Sequence, residues 1–123
     1  MLLEKKAEKE GFDIAFKNGN FKCAFIKHSS AYSFGKVFQL KRHNETDEIF
    51  VLLNGRAVML IMDNGEFFER ELEKNTAYNV AKGTWHHLAV TEDAQVFVTE
   101  NADTDSSNTD IIELGEEYLL QMK

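Results

Sequence analysis

The chain has no proline, one cysteine and no uninterrupted apolar run of membrane-spanning length. Without proline, glycine and asparagine must carry the turns. The lone Cys23 excludes an internal disulfide and is compatible with a reducing compartment. It sits in the apolar run Cys23-Ala24-Phe25-Ile26, where a buried, inert thiol is expected ahead of a nucleophile. The opening Met1-Leu2-Leu3-Glu4-Lys5-Lys6 has no stretch of signal-peptide length. The longest apolar region, Ile49 to Met62, is broken by Asn54-Gly55-Arg56 and is too short to cross a membrane. Basic charge is also scarce: 14 Lys and Arg stand against 21 Asp and Glu, for a net charge of −7. No basic cluster is set among stacking aromatics, so phosphate neutralisation and nucleic-acid binding are not expected. Glycine-rich nucleotide loops, CxxC pairs and a GxSxG elbow are missing too. A soluble cytoplasmic protein, free of membrane and nucleic acid, is the resulting expectation.

What is present suits a globular β protein. At 123 residues, with 43% hydrophobic content and ten phenylalanines, the chain can bury a core as a single domain over residues 1–123. Turn signals recur at Asn18-Gly19-Asn20, Asn54-Gly55, Asp63-Asn64-Gly65 and Lys82-Gly83. Short runs rich in Val, Ile, Phe and Tyr lie between them. Strands are expected at 12–16, 49–53, 57–62, 67–72, 77–80, 87–91 and 95–100. The pair 49–53 and 57–62, continuously apolar around Asn54-Gly55-Arg56, predicts the two arms of a buried hairpin. Residues 1–10 predict a short helix or a frayed arm. The polar cluster 101–110 predicts a surface loop, and 111–123 a segment capping the open end of a barrel or a partner subunit.

One spaced pattern carries the chemistry. It runs Gly35, five residues, Lys41-Arg42-His43, four residues, Glu48, six residues, Gly55. A second block follows at Asn75, five residues, Ala81-Lys82-Gly83, two residues, His86. Strand alternation puts Glu48, Phe50 and Leu52 on one face, and His86, Leu88 and Val90 on one face of a later strand. If Glu48 and His86 both face inward, a carboxylate and an imidazole meet in an apolar enclosure and need a hydrogen-bond partner or a metal. His43 can reach the same spot. His87, next to His86, is expected on the outer face or at a subunit contact. Tyr32, Phe34, Phe50, Tyr78 and Trp85 are expected as core filling, and His28 at the surface.

This arrangement resembles the cupin family, whose two motifs can both be traced. The first is met at Gly35, His43, Glu48 and Gly55, with Lys41 in place of its first histidine. The second keeps Gly83 and His86 but has Asn75, Ala81 and Val90 at its other marked places. The nineteen residues from Arg56 to Lys74 would form a short intermotif hairpin. The resemblance implies an all-β, single-domain jelly-roll barrel with short terminal helical or irregular segments. Its motif-bearing core would lie at about 35–100, followed by a loop and cap at 101–123. It also implies a homodimer, a pocket for a small-molecule ligand inside the barrel, and a divalent metal ion (Fe, Mn, Zn or Ni) on His43, Glu48 and His86. Two histidines and a carboxylate make a facial triad suited to a first-row ion.

Lys41 leaves alternatives open, because an ammonium at a ligand position repels a cation or pairs with Glu48 in its place. In a blander reading His43 is a solvated loop residue, Glu48 a strand-edge charge and His86 a core histidine bonded to backbone. Three functions compete: a small-molecule binding or sensing protein, with or without a metal; a metalloenzyme; and a purely structural dimer module. The enzyme would be an isomerase, decarboxylase or dioxygenase acting on a small carbonyl, sugar or aromatic substrate. Lys41 and His87 are then the candidate proton carriers.

Overall fold

Alternation of inward apolar and outward polar residues, interrupted by turn glycines, builds almost the whole chain into strands. The computed structural model describes residues 1–123. Ten strands follow in order: β1 (Gly11–Asn18), β2 (Phe21–Lys27), β3 (Gly35–His43), β4 (Glu48–Asn54), β5 (Ala57–Asp63), β6 (Glu66–Glu71), β7 (Ala77–Val80), β8 (Trp85–Val90), β9 (Gln95–Asn101) and β10 (Thr109–Leu120). A single 3-10 turn, Ser30–Tyr32, precedes β3. The strands form two five-stranded sheets, ordered β1-β2-β9-β4-β7 and β10-β3-β8-β5-β6. Every pairing between strands is antiparallel, and the two curled sheets face one another as a half-barrel. No helix is long and apolar enough to cross a membrane.

The core between the sheets takes Ile26, Phe50, Leu52, Val96 and Val98 from the first and Met59, Leu88 and Val90 from the second. A second cluster occupies the opposite face of the second sheet, with Val58, Leu60, Ala89, Leu40 and Leu120. β5 is therefore apolar at successive positions because both its faces are covered, as Ala57, Val58, Met59 and Leu60 all are.

Four expectations are corrected. Strands β4 and β5 do not pair with each other; β4 lies between β9 and β7, and β5 between β8 and β6. Gly55 instead turns the corner between the sheets, with φ +73°, and a Cβ there would stand 2.6 Å from the Ala94 Cα. The close approach of two backbones, rather than a hairpin, explains this glycine. Residues 1–8 form no helix and are mostly exposed, so only the frayed-arm alternative describes them.

The C-terminal stretch is a strand of the second sheet rather than a separate segment. β10 pairs with β3, and its register breaks between Glu113 and Tyr118. Across this break Tyr118 reaches the far edge of the same sheet, its ring 4.8 Å from Phe67 and its hydroxyl donating to Glu69. The strand thus covers the outer face of its own sheet. Finally, Cys23 is only half-buried. Lys22, Ala24 and Ile26 point into the core, so alternation turns Cys23 to the outer face of the first sheet.

Candidate functional site at the cavity floor

Three strands bring the polar trio together. Glu48 opens β4 on the face that buries Phe50 and Leu52. His43 closes β3, and His86 lies in β8 directly across from Lys41. The turn before β8 is tied to this spot at two points. The Gly83 amide donates to the His43 carbonyl at 2.7 Å. Asp47 accepts from the Lys82 amide at 2.9 Å and from the Asn79 side chain at 3.1 Å. Motif residues flanking the trio thus serve as its scaffold.

His43 Nε2 and His86 Nε2 stand 3.3 and 3.2 Å from the same atom, Glu48 Oε1. One ligand atom from each residue can be chosen so that all three lie within 4.8 Å of one another. The two rings meet edge-on with centroids 5.4 Å apart, and Phe50 also meets His86 edge-on at 6.3 Å. Glu48 and His86 are 5% and 8% exposed, so water does little to screen them. Each far ring nitrogen is held: His43 Nδ1 by Thr109 Oγ1 at 2.9 Å, and His86 Nδ1 by the Thr84 carbonyl at 2.9 Å.

The His86 contact defines the chemistry. A carbonyl only accepts, so Nδ1 carries the proton and Nε2 of the neutral ring is a bare lone pair. That lone pair faces a carboxylate oxygen. Two acceptors are held this close in a buried site only when a proton or a cation lies between them. A proton is one solution, and the charges respond to it. Burial alone would raise the Glu48 carboxyl, but its hydrogen bonds with His43 and His86 outweigh it and hold the carboxyl at about 2. The same hydrogen bond with Glu48 raises His43 above its ordinary value, against the effect of burial. A divalent cation is the other solution. Two oriented imidazoles and one carboxylate, each imidazole anchored through its far nitrogen, fit such an ion.

No sequence-family model matches the chain, and no curated protein matches it. Solved structures do. A cupin-2 domain containing protein from Shewanella frigidimarina aligns with a TM-score of 0.60 at 17% identity, covering 77% of this chain and 84% of that one. The chain has the cupin fold. KdgF from a Halomonas species aligns at 0.58 and 20% identity over 78% of this chain and 81% of its own. A mutant of the 3,4-ketoisomerase QdtA from Thermoanaerobacterium thermosaccharolyticum, in complex with TDP-4-keto-6-deoxyglucose, aligns at 0.60 and 16% identity, covering 84% of this chain and 73% of that one.

Within this cupin fold the trio forms part of the wall of an open cavity of about 830 Å³. Lys41 lines it but is exposed and forms no ion pair. The alternative in which Lys41 pairs with Glu48 is therefore corrected: two imidazoles already occupy that carboxylate. His87 alternates away from His86, level with Leu60 on β5, yet still borders the cavity where β3 and β8 are joined in register only at Lys41 and His86. Burial lowers its pKa, with the charges of His86 and Lys41 adding to the effect, so at neutral pH it is an uncharged base.

Other polar residues here were not anticipated. Glu100 on β9 and Lys22 on β2 face each other in register, almost completely buried, with Nζ 3.8 Å from Oε1. Lys22 also donates to the Thr104 carbonyl at 2.8 Å, while Glu100 Oε2 has no partner. Burial, followed by the charge of Glu48, pushes the Glu100 carboxyl up to about 7. Tyr32 rises to about 12 through burial and the charges of the same two acids. The signal was present as strand parity: Val96, Val98 and Glu100 share one face, as do Lys22, Ala24 and Ile26.

Proposed function

We propose that this chain holds a divalent first-row metal ion on His43, Glu48 and His86 and binds a small molecule beside it in the cavity. The observation that carries this is the buried approach of the His86 Nε2 lone pair to Glu48 Oε1, with His86 Nδ1 committed to a carbonyl. Such an ion would supply positive charge to polarise a ligand oxygen. The residues here orient the donors, exclude water from Glu48 and leave Lys41 free at the cavity wall.

Metal analysis of untagged protein purified without added ions tests it. Stoichiometric metal that disappears in both His43→Ala and His86→Ala supports the proposal. Metal-free wild type that also fails to take up Mn²⁺, Fe²⁺, Ni²⁺ or Zn²⁺ overturns it.

A catalytic role is the second reading, favoured by one observation: a neutral His87 borders the same cavity as the unpaired Lys41, offering a base and an acid. In that reading the protein is a metalloenzyme turning over a small carbonyl compound; the similar QdtA is a 3,4-ketoisomerase and binds a keto-sugar nucleotide. Activity lost in His87→Gln with metal retained would separate catalysis from binding.

The homodimer belongs to the proposal as well. Phe16, Phe21 and Ile49 stand 38, 51 and 39% exposed on the outer face of the first sheet, a surface suited to a second copy.

A further inference from the structure

The cavity mouth has a chemistry distinct from that of its floor. β1 and β10 are edge strands of different sheets, and they border the opening without pairing. Phe12 and Ile14 line it from β1, in register with the interior residues Ile26 and Ala24. Phe38 and Ile111 line it from the other sheet. All four are left uncovered, at 37, 37, 57 and 54% exposure. Across the second sheet Ile111 pairs with Lys41 and Lys41 with His86, so an apolar residue, a cation and a candidate ligand to the metal stand in one row.

The charges along the wall are almost all taken. Lys22 pairs with Glu100, Lys36 with Glu117, and Asp105 accepts from Ser107. Lys41 is the lining lysine without an anion. A single unpaired ammonium beside an apolar rim, with no arginine fork and no helical element longer than the 3-10 turn Ser30–Tyr32 lining the site, suits a carboxylate better than a phosphate, which calls on several donors.

We propose that the ligand is a small monocarboxylic acid with an aryl or short alkyl body. Its carboxylate lies at Lys41 beside His86, and its apolar part covers Phe12, Ile14, Phe38 and Ile111. The inference rests on the reading above, that the cavity binds a small molecule next to a metal.

Calorimetric titration of the metal-loaded protein with phenylacetate, phenylacetamide and acetate tests it. Phenylacetate is expected to bind about threefold to fivefold more tightly than phenylacetamide, the factor an exposed ammonium is worth, and more tightly still than acetate, which lacks the apolar body. Lys41→Met should bring phenylacetate to the level of phenylacetamide and leave the amide unchanged. Phe38→Ser combined with Ile111→Ser should weaken both aromatic probes by about tenfold.

Equal affinity for acid and amide, no saturable phenylacetate binding up to about 10 mM, or a preference that survives Lys41→Met overturns the proposal. Metal content measured on the same samples separates the two failures. Full metal occupancy without phenylacetate binding sinks the acid class alone, whereas loss of the metal sinks the functional reading beneath it.

Discussion

Replacing Glu48 with glutamine keeps the shape of the trio and removes its charge. The native carboxyl falls from 4.5 to about 2, held down by its hydrogen bonds with His43 and His86 against the opposing effect of burial. A fall of that size corresponds to about 3 kcal/mol of native-state stability in the metal-free protein, undiminished by solvent because Glu48 is buried. The sign follows from the direction. Because its folded value is depressed, Glu48 contributes this stability above pH 4.5 and loses it as pH falls toward 2. His43 is raised, so its share is full below pH 6.5 and fades as pH rises through its folded value.

The difference between wild type and Glu48→Gln should thus be largest near pH 5.5 and shrink by pH 8.5. Urea denaturation in the presence of a chelator, at both pH values, measures it. Added Zn²⁺ should reverse the trend. It competes with the imidazole protons, so wild type gains more at pH 8.5 than at 5.5, by about 3 kcal/mol at a hundredfold excess over Kd, and Glu48→Gln gains little. A chelated difference that stays constant from pH 5.5 to 8.5 would show that no proton is shared within the trio.

Glu100→Gln should raise the melting temperature at pH 8 and leave it unchanged at pH 4.5. The raised carboxyl of Glu100 is progressively destabilising as pH climbs from 4.5 through about 7, and the amide removes that charge; a lower melting temperature at pH 8 would contradict this. Gly55→Ala should cost about 1–3 kcal/mol in denaturant titration with metal stoichiometry unchanged, since the left-handed backbone and the Ala94 contact both resist a Cβ. Ile49→Glu, which charges the outer face of the first sheet, should convert a dimer to a monomer in light scattering, and a wild type that is already monomeric removes that part of the proposal.

The trio was legible in the sequence because spacing and strand parity together constrain direction: Glu48 shares its face with Phe50 and Leu52, and His86 with Leu88 and Val90. The sheet partners were not legible. Two apolar runs around Asn54-Gly55-Arg56 read as a hairpin, and local sequence cannot distinguish a turn within a sheet from a corner between sheets. That distinction depends on Ala94, thirty-nine positions away, which presses on Gly55. β10 stayed hidden for a similar reason. Ile112, Leu114, Tyr118 and Leu120 do share one parity, but the exposed Gly115-Glu116-Glu117 interrupts the alternation where the register with β3 breaks. Lys22 and Glu100 were passed over because each ends an apolar alternation with a charge, which ordinarily marks the way out to solvent. Here both strands run on into the cavity wall, and the charges meet each other instead of water. The same reasoning gives the cavity its polarity: inward parity is decided by the apolar residues, and the polar residues carried inward with them must find partners. Glu48 finds two imidazoles, and Lys22 finds Glu100 and the Thr104 carbonyl, while Glu100 Oε2 stays unpaired. Lys41 is exposed and has no anion, and a lone cation at the rim of a cavity is where a ligand's opposite charge belongs.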